Sequence, residues 1–363
     1  MNKPRIALDT RKIIESRLFY PAVALALILT FDAIFIPGFF DLEIKEGHLF
    51  GNLIDVLRNS TPIIVLAMGM TLVIATGGVD LSVGAVMAIA ASTACIMLNP
   101  NLIGVRLADV TREADPTYSA SPLWLVFLVP LVIATVCGLW NGLLVAYGKI
   151  EPMVATLILM IAGRGIAQLV TNAIKIIIYN NTFLRLGNGW VLLLPFALFI
   201  AAAVFALAWL LTRRTSLGLF IESVGINARS SFYSGVDEKK IKLIAYMFCG
   251  FCAGIAGLIA VSSIRTSDAN QVGLYSELDA ILAVIIGGTL LGMGGRFSLL
   301  ASVIGALVIQ ATTTSTLAIG VPASAIIAVK ALVVIVVIIL YSQQVQNFVR
   351  KLAGPSRLKE QKS

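Results

Sequence analysis

Charge is what this chain has least of. Only 13% of its 363 residues are Asp, Glu, Lys or Arg, about half the share of a water-soluble domain, which excludes an ordinary soluble enzyme. Histidine is nearly missing: His48 stands alone, so there is no His-rich metal site and little from which to build a hydrolytic centre. Cysteine is scarce too, and Cys95, Cys137, Cys249 and Cys252 all fall within or at the edges of apolar segments, which argues against a secreted disulfide framework. Cys249 and Cys252 form a C-x-x-C with no second pair, and are expected to be small core residues. No G-x-x-x-x-G-K-[ST] phosphate loop exists. The nearest string, Gly142 to Ile150, has one residue too many between its glycines and Ile where Ser or Thr is needed, so the chain is not expected to hydrolyse ATP. No cleavable leader is apparent, because the first apolar run leads directly into others.

What remains is apolar: 58% of the residues are hydrophobic and the mean hydropathy is +0.95. Runs near the length of a bilayer crossing lie at about 18–36, 60–76, 83–98, 122–147, 153–172, 190–212, 243–262, 278–292, 298–317 and 323–341. Backbone polar groups in lipid must be satisfied within each segment. The expectation is therefore an all-α polytopic membrane protein of about ten transmembrane helices, some broken by glycine. The cytoplasmic pieces would be 1–17, the loop 213–242 and the tail 342–363, around a permease domain at 18–341. The net charge of +8 sorts by loop rather than into a nucleic-acid patch. With the amino terminus inside, 18 of the 27 basic residues fall on the cytoplasmic side and 7 outside, which favours both termini in the cytoplasm.

Two loops are long. Residues 99–121, with Asp109, Arg112, Glu113 and Asp115, would lie outside; residues 213–242, with six basic side chains, would lie inside. Within the second, Asn227 is a good N-cap and Gly235 a good C′ residue, so Ala228 to Ser234 read as a two-turn helix. Such a helix, with small Ala228, Ser230 and Ser231 and with Phe232 and Tyr233 as anchors, suits docking to a second protein, or else lies passively on the membrane.

Glycine punctuates two hydrophobic segments. Gly77-Gly78-Val79-Asp80-Leu81-Ser82-Val83-Gly84 is weakly echoed by Gly287-Gly288 through Gly294-Gly295-Arg296, which suggests duplicated halves. Asp80 either caps the helix that follows or offers an acceptor to the solute path, with Ser82 beside it. Other polar residues at membrane depth are functional candidates by default. Asn141, Gln168, Asn172 and Gln310 suit a neutral polyol, though each could equally bond between helices. Arg164 and Asp279 are a plausible ion pair.

Four separated segments carry a resemblance: G-I-N-x-R-x-x-x-x-S-G-V in the loop, GMTLVIATGGVDLSVGAVMAIAA, WNGLLVAYGKIEPMVATLILMIAGRGIAQL and ELDAILAVIIGGTLLGMGGRFSLL. Together they resemble the membrane subunit of bacterial ABC importers for monosaccharides, the ribose-type permease family, over about residues 50–340. Met68 to Thr71, Val154 to Met160 and Asp268 to Asn270 resemble the branch handling furanoses such as galactofuranose. The resemblance implies a multi-pass subunit of the bacterial inner membrane without cofactor or metal. Its implied partners are a separate ABC ATPase, a periplasmic sugar-binding protein, a second permease subunit and membrane lipid, with no nucleic acid. Glu222, Gly225, Asn227, Ala228, Arg229, Ser230, Ser231 and Gly235 would then form the ATPase-coupling loop. Ser230-Ser231 stands where relatives usually carry Ala-Ala. The competing class is an ion-coupled secondary transporter, which needs no ATPase and would use a titratable residue such as Asp80.

Overall fold

A computed structural model describes residues 18–45, 47–98, 119–289 and 294–341. The segment 1–17, most of the expected outer loop 99–121 and the tail 342–363 lie outside the described residues.

Each expected apolar run contains a helix. In chain order these are α1 (Phe19–Phe35), α2 (Asn52–Ala75), α3 (Val83–Leu98), α4 (Leu123–Ala146), α5 (Pro152–Thr171), a short α6 (Asn181–Asn188) and α7 (Phe196–Arg213). They continue with α8 (Leu217–Ile226), α9 (Ala228–Tyr233), α10 (Glu238–Ile264), α11 (Ser276–Ile286), α12 (Leu299–Ala318) and α13 (Ile326–Tyr341). Among the described residues six helices are long and apolar enough to cross a bilayer: α2, α4, α5, α7, α10 and α12. By contrast α11 has 11 residues and rises about 16 Å, roughly half of a ~30 Å hydrocarbon core. The expected crossing at 278–292 thus ends early, at Ile286.

The expectation of helices alone also needs correction. Three two-stranded antiparallel ribbons pair β1 (Glu43–Lys45) with β2 (His48–Phe50), β3 (Ile176–Ile177) with β6 (Thr266–Ser267), and β4 (Trp190–Val191) with β5 (Leu194–Pro195). They gather at the end of the bundle away from α8 and α9. There His48 stacks on Trp190 at 5.1 Å and Phe50 lies 5.0 Å from the same ring. Hydropathy missed the first two turns of α2, because Asn52, Asp55, Arg58 and Asn59 make them polar.

The hub is α10, which packs on α4, α2 and α3. Small residues four apart let it approach: Ala134 and Gly138 on α4 meet Gly250 and Gly254 on α10, with the Cα of Gly138 2.9 Å from a Cβ placed on Gly250, and Gly142 lies against Leu243 and Tyr246. In lipid, where apolar side chains gain little by leaving solvent, such close backbone contact supplies the packing that holds helices together. On one flank α3 carries α5; on the other α2 carries α11, α12 and α7, and α12 carries α1. The C-x-x-C cysteines are free and buried, Cys249 against Gly69 of α2.

Candidate functional site

The long basic loop folds as α8, α9 and the start of α10. Asn227 leaves α8 extended and caps α9, its Oδ1 accepting from Ser230 N at 3.0 Å. Gly235, at φ +85°, closes α9, with Val236 N donating to Ser231 O at 3.0 Å. Asp237 then caps α10 by accepting from Lys239 N (3.1 Å) and Lys240 N (3.4 Å). Slight desolvation raises the Asp237 carboxyl pKa, but the amides of Lys240 and Lys239 and the Lys240 ammonium lower it more, and the net shift is downward.

α9 presents part of the face expected of it. Ser231 is buried, with its hydroxyl donating to Asn227 O at 3.0 Å, and Ala228 packs on the core. The outward side is Arg229, Ser230, Phe232 and Tyr233, the last two rings 65% and 85% exposed. Of the expected contact residues, Ser230, Phe232 and Tyr233 therefore face outward, whereas Ser231 is buried and Ala228 half-buried. Glu222 is half-buried on α8.

Gly225 packs inward against backbone. Its Cα backs onto the carbonyl of Ala75 and the amide of Gly295, and a Cβ on Gly294 would sit 2.7 Å from it. Gly295 N donates to Ala75 O at 2.8 Å, satisfying a carbonyl that the end of α2 leaves free. Three backbones meet at this point: the 213–242 loop, the end of α2 and the Gly294-Gly295 segment. The two glycine breaks that the sequence relates are thus joined by the loop.

Both breaks close in the same way. At the first, Gly77 N donates to Ile74 O and Gly78 N to Val73 O; at the second, Gly288 N donates to Ile285 O and Thr289 N to Val284 O. These are Schellman caps with Gly77 (φ +84°) and Gly288 (φ +80°) at C′. Their register pairs Gly77 with Gly288, so Gly287 corresponds to Thr76. The closure alone does not prove duplication, because α9 and α12 end the same way. Gly78 has an ordinary φ and is small for another reason: a Cβ there would stand 2.5 Å from the Tyr246 hydroxyl.

Beyond Gly78 the chain turns inward around Asp80, which is 1% exposed. Asp80 Oδ1 accepts from Ser82 N (2.9 Å), Ser82 Oγ (2.6 Å) and Asn141 Nδ2 (3.3 Å), while Asn141 Nδ2 also donates to Ser82 Oγ at 2.8 Å. Tyr246 Oη donates to Val79 O at 3.2 Å. The residue at the start of α3 is Ser82, whose carbonyl accepts the first helical bond from Val86 N; Asp80 sits two residues earlier and ties the break to α4. Asn141 Oδ1 is buried without a partner. Beside this knot a cavity of about 380 Å³ is lined by Thr76, Gly77, Lys149, Glu151, Glu238 and Lys242.

Of the expected path residues, Asp80, Ser82 and Asn141 therefore come together. Gln168, Asn172 and Gln310 do not join them. Gln168 Nε2 donates to Asn270 Oδ1 at 2.6 Å, Asn172 is the exposed left-handed C-cap of α5, and Gln310 is nearly buried with Nε2 3.4 Å from Thr314 Oγ1. Gly84 lies under the carbonyl of Gly273 and the carboxylate of Glu277. The expected Arg164–Asp279 pair does not form. Asp279 pairs with Lys330 of α13 at 2.7 Å, and Arg164 donates to the carbonyls of Ala269 and Val272. The partners of Tyr246, Asn270 and Lys330 carried no local sequence signal, because each lies more than 50 positions away.

Residues 52–342 match the family model described as branched-chain amino acid transport system / permease component. The chain is 48% identical over 329 residues to the galactofuranose transporter permease protein of Escherichia coli (strain K12), covering 90% of each. It is 36% identical to the fructose import permease protein of Bifidobacterium longum (strain NCC 2705), covering 97% of this chain and 95% of that one. To the ribose import permease protein of Haemophilus influenzae (strain ATCC 51907 / DSM 11121 / KW20 / Rd) it is 33% identical, over 82% and 84% of the two chains. No solved structure matches the chain.

Proposed function

This chain belongs to the branched-chain amino acid transport system / permease component family, and from that premise we propose that it carries a monosaccharide, galactofuranose foremost, as the membrane subunit of an ATP-driven importer. The permeases similar to it over nearly their whole length are named for galactofuranose, fructose and ribose, all neutral sugars. As a permease component it is a multi-pass membrane protein whose ATPase is a separate subunit. A substrate-binding protein delivers the sugar at the face bearing the ribbons, and two permease subunits enclose one path across the bacterial inner membrane. Its ten apolar segments enter the bilayer with both termini in the cytoplasm, as the basic loops favour.

The observation that carries this reading is the backbone junction at Gly225. A docking loop whose inner side touches both glycine breaks can pass a push from an ATPase at Phe232 and Tyr233 into α2 and α11, whereas a secondary transporter has no use for it. Asp80 is read as the tie that holds the first break to α4, rather than as a sugar ligand, because its carboxylate is buried and already takes three hydrogen bonds.

The test is uptake into vesicles holding the complex of this chain with its ATPase, supplied with ATP and no ion gradient. Uptake that requires hydrolysis supports the importer. Uptake that persists without ATP and collapses with an ionophore refutes it. For topology, Tyr233→Cys should react with an impermeant maleimide only from the cytoplasmic side; reaction from outside would invert the orientation.

A further inference from the structure

Helix lengths place one irregular stretch between the middle of the bilayer and the outer end of α5. α11 is 11 residues long and rises about 16 Å, so Ser276 lies near mid-membrane when Ile286 lies at the cytoplasmic junction. α5 meets the stretch over a range of depths, from Arg164 to Gln168, the latter about 24 Å along the helix from Pro152. Arg164 follows Pro152 by twelve residues, about 18 Å along the helix, and its guanidinium holds the carbonyls of Ala269 (3.0 Å) and Val272.

The stretch between β6 and α11 is a run of turns. Gln271 N and Val272 N both donate to Asp268 O, at 3.0 and 2.9 Å, and Leu274 N donates to Gln271 O at 3.1 Å. Gly273 and Tyr275 take positive φ, the second an uncommon conformation for a bulky side chain. This segment is open on one side: Asn270, Gln271, Leu274 and Tyr275 are exposed, and on the facing stretch of α5 a Cβ at Gly165 would meet nothing within 4 Å. Non-helical backbone and exposed amides cannot face hydrocarbon at this depth; they are tolerated where they border a water-filled cavity or another subunit.

The side chains present suit a polyol. Gln168 and Asn270 form an amide pair at 2.6 Å that retains further donors and acceptors. Asp268 Oδ1 accepts from Asn270 N at 2.9 Å and fixes the turn. Tyr275, 48% exposed, offers an aromatic face five residues on. A few placed polar groups beside an aromatic wall is the usual composition of a small-molecule site.

We propose that the 268–275 turn, with Gln168, is a contact station for a neutral monosaccharide in the outer half of the membrane, whose hydroxyls bond to the Gln168 and Asn270 amides while its C–H face lies on Tyr275. Arg164 is a positioning residue that pins the turn through its carbonyls. This inference rests on the sugar-permease reading.

Two measurements test it. In the first, Gln271→Cys is made in a chain whose four native cysteines are Ala, the complex is reconstituted, and a membrane-impermeant, water-soluble methanethiosulfonate is added in the apo, ATP-bound and vanadate-trapped states. Reaction in at least one state is expected, and no reaction in any of them overturns the water-lined wall, whatever the solute. In the second, uptake of radiolabelled galactose, fructose and ribose is compared among variants that copurify with the ATPase. Tyr275→Ala is expected to raise KM about tenfold with Tyr275→Phe near wild type, and Asn270→Ala and Gln168→Ala to change the preference among the three sugars. Equal KM values and unchanged preference in all these variants overturn the site while leaving the importer reading intact. Failure of the wild-type complex to take up any of the three removes the sugar reading and this inference with it.

Discussion

Replacing Gly225 by Ala adds one methyl group at the point where the docking loop, the end of α2 and the turn after α11 touch. The new Cβ would overlap Ala75 O and Gly295 N, both backbone atoms that no side-chain rotation can move aside. Either the three segments separate or the helix carrying residue 225 shifts, and overpacking of this kind costs about 1–3 kcal/mol. Separation also breaks the 2.8 Å bond from Gly295 N to Ala75 O, and a buried polar group left unpaired adds about 1–3 kcal/mol. Against this, Ala gains about 1 kcal/mol over Gly in a helix, since Gly225 lies within α8. The net expectation is a loss of about 1–5 kcal/mol. At about 2–4 °C per kcal/mol for a chain of moderate size, the melting temperature of the detergent-solubilised subunit should fall by several degrees or more, with uptake reduced in parallel. Gly235→Ala is the control: it strains a positive φ but meets no atom within 4 Å, so it should cost about 1 kcal/mol. Phe232→Ala, on the outward face, should leave the melting temperature unchanged and weaken copurification of the ATPase. A Gly225→Ala subunit that melts with the wild type and transports normally would refute the junction.

The contact between Gly78 and Tyr246 should show as a rescue: Gly78→Ala destabilises through the 2.5 Å approach to the hydroxyl, and Tyr246→Phe in the same chain restores most of the loss, because the next ring atom is at 3.4 Å; no recovery in the double variant contradicts the contact. Lys330→Ala or Asp279→Ala alone strands one charge of a pair whose side chains are only 15% and 18% exposed and should cost about 3–5 kcal/mol, whereas Asp279→Leu with Lys330→Met should recover most of it; additive losses in a double-mutant cycle would show that the pair does not couple. Asp80→Asn keeps an acceptor oxygen for Ser82 and Asn141 and should transport at a reduced but measurable rate, while Asp80→Ala should lower the yield of folded protein; a well-folded Asp80→Asn subunit with no uptake would move Asp80 from tie to ligand.

Composition and local pattern determined much of this protein. Long apolar runs marked where the ten helices in those segments lie, though not α6, α8 or α9, because a segment in lipid must satisfy its own backbone and bury almost no charge. Asn227 and Gly235 marked the two ends of α9, since cap chemistry is local: one side chain and one positive φ decide it. Gly77 announced a break for the same reason. Where the polar residues are spent was decided only by tertiary structure. Asp279 pairs with Lys330 rather than Arg164, and Arg164 grips a turn more than 100 residues away. Ala228 and Ser231 turn inward, and Gly225 leaves no room for a Cβ against Ala75 and Gly295. Even the depth of α11 escaped the hydropathy pattern, because the apolar run continues past Ile286 while the chain stops being helical there. Spacing along a helix states which residues share a face, but which helix covers that face depends on long-range packing. In a membrane, where most side chains are equally apolar, that packing is settled by a few glycines and hydrogen bonds that only the folded chain brings together.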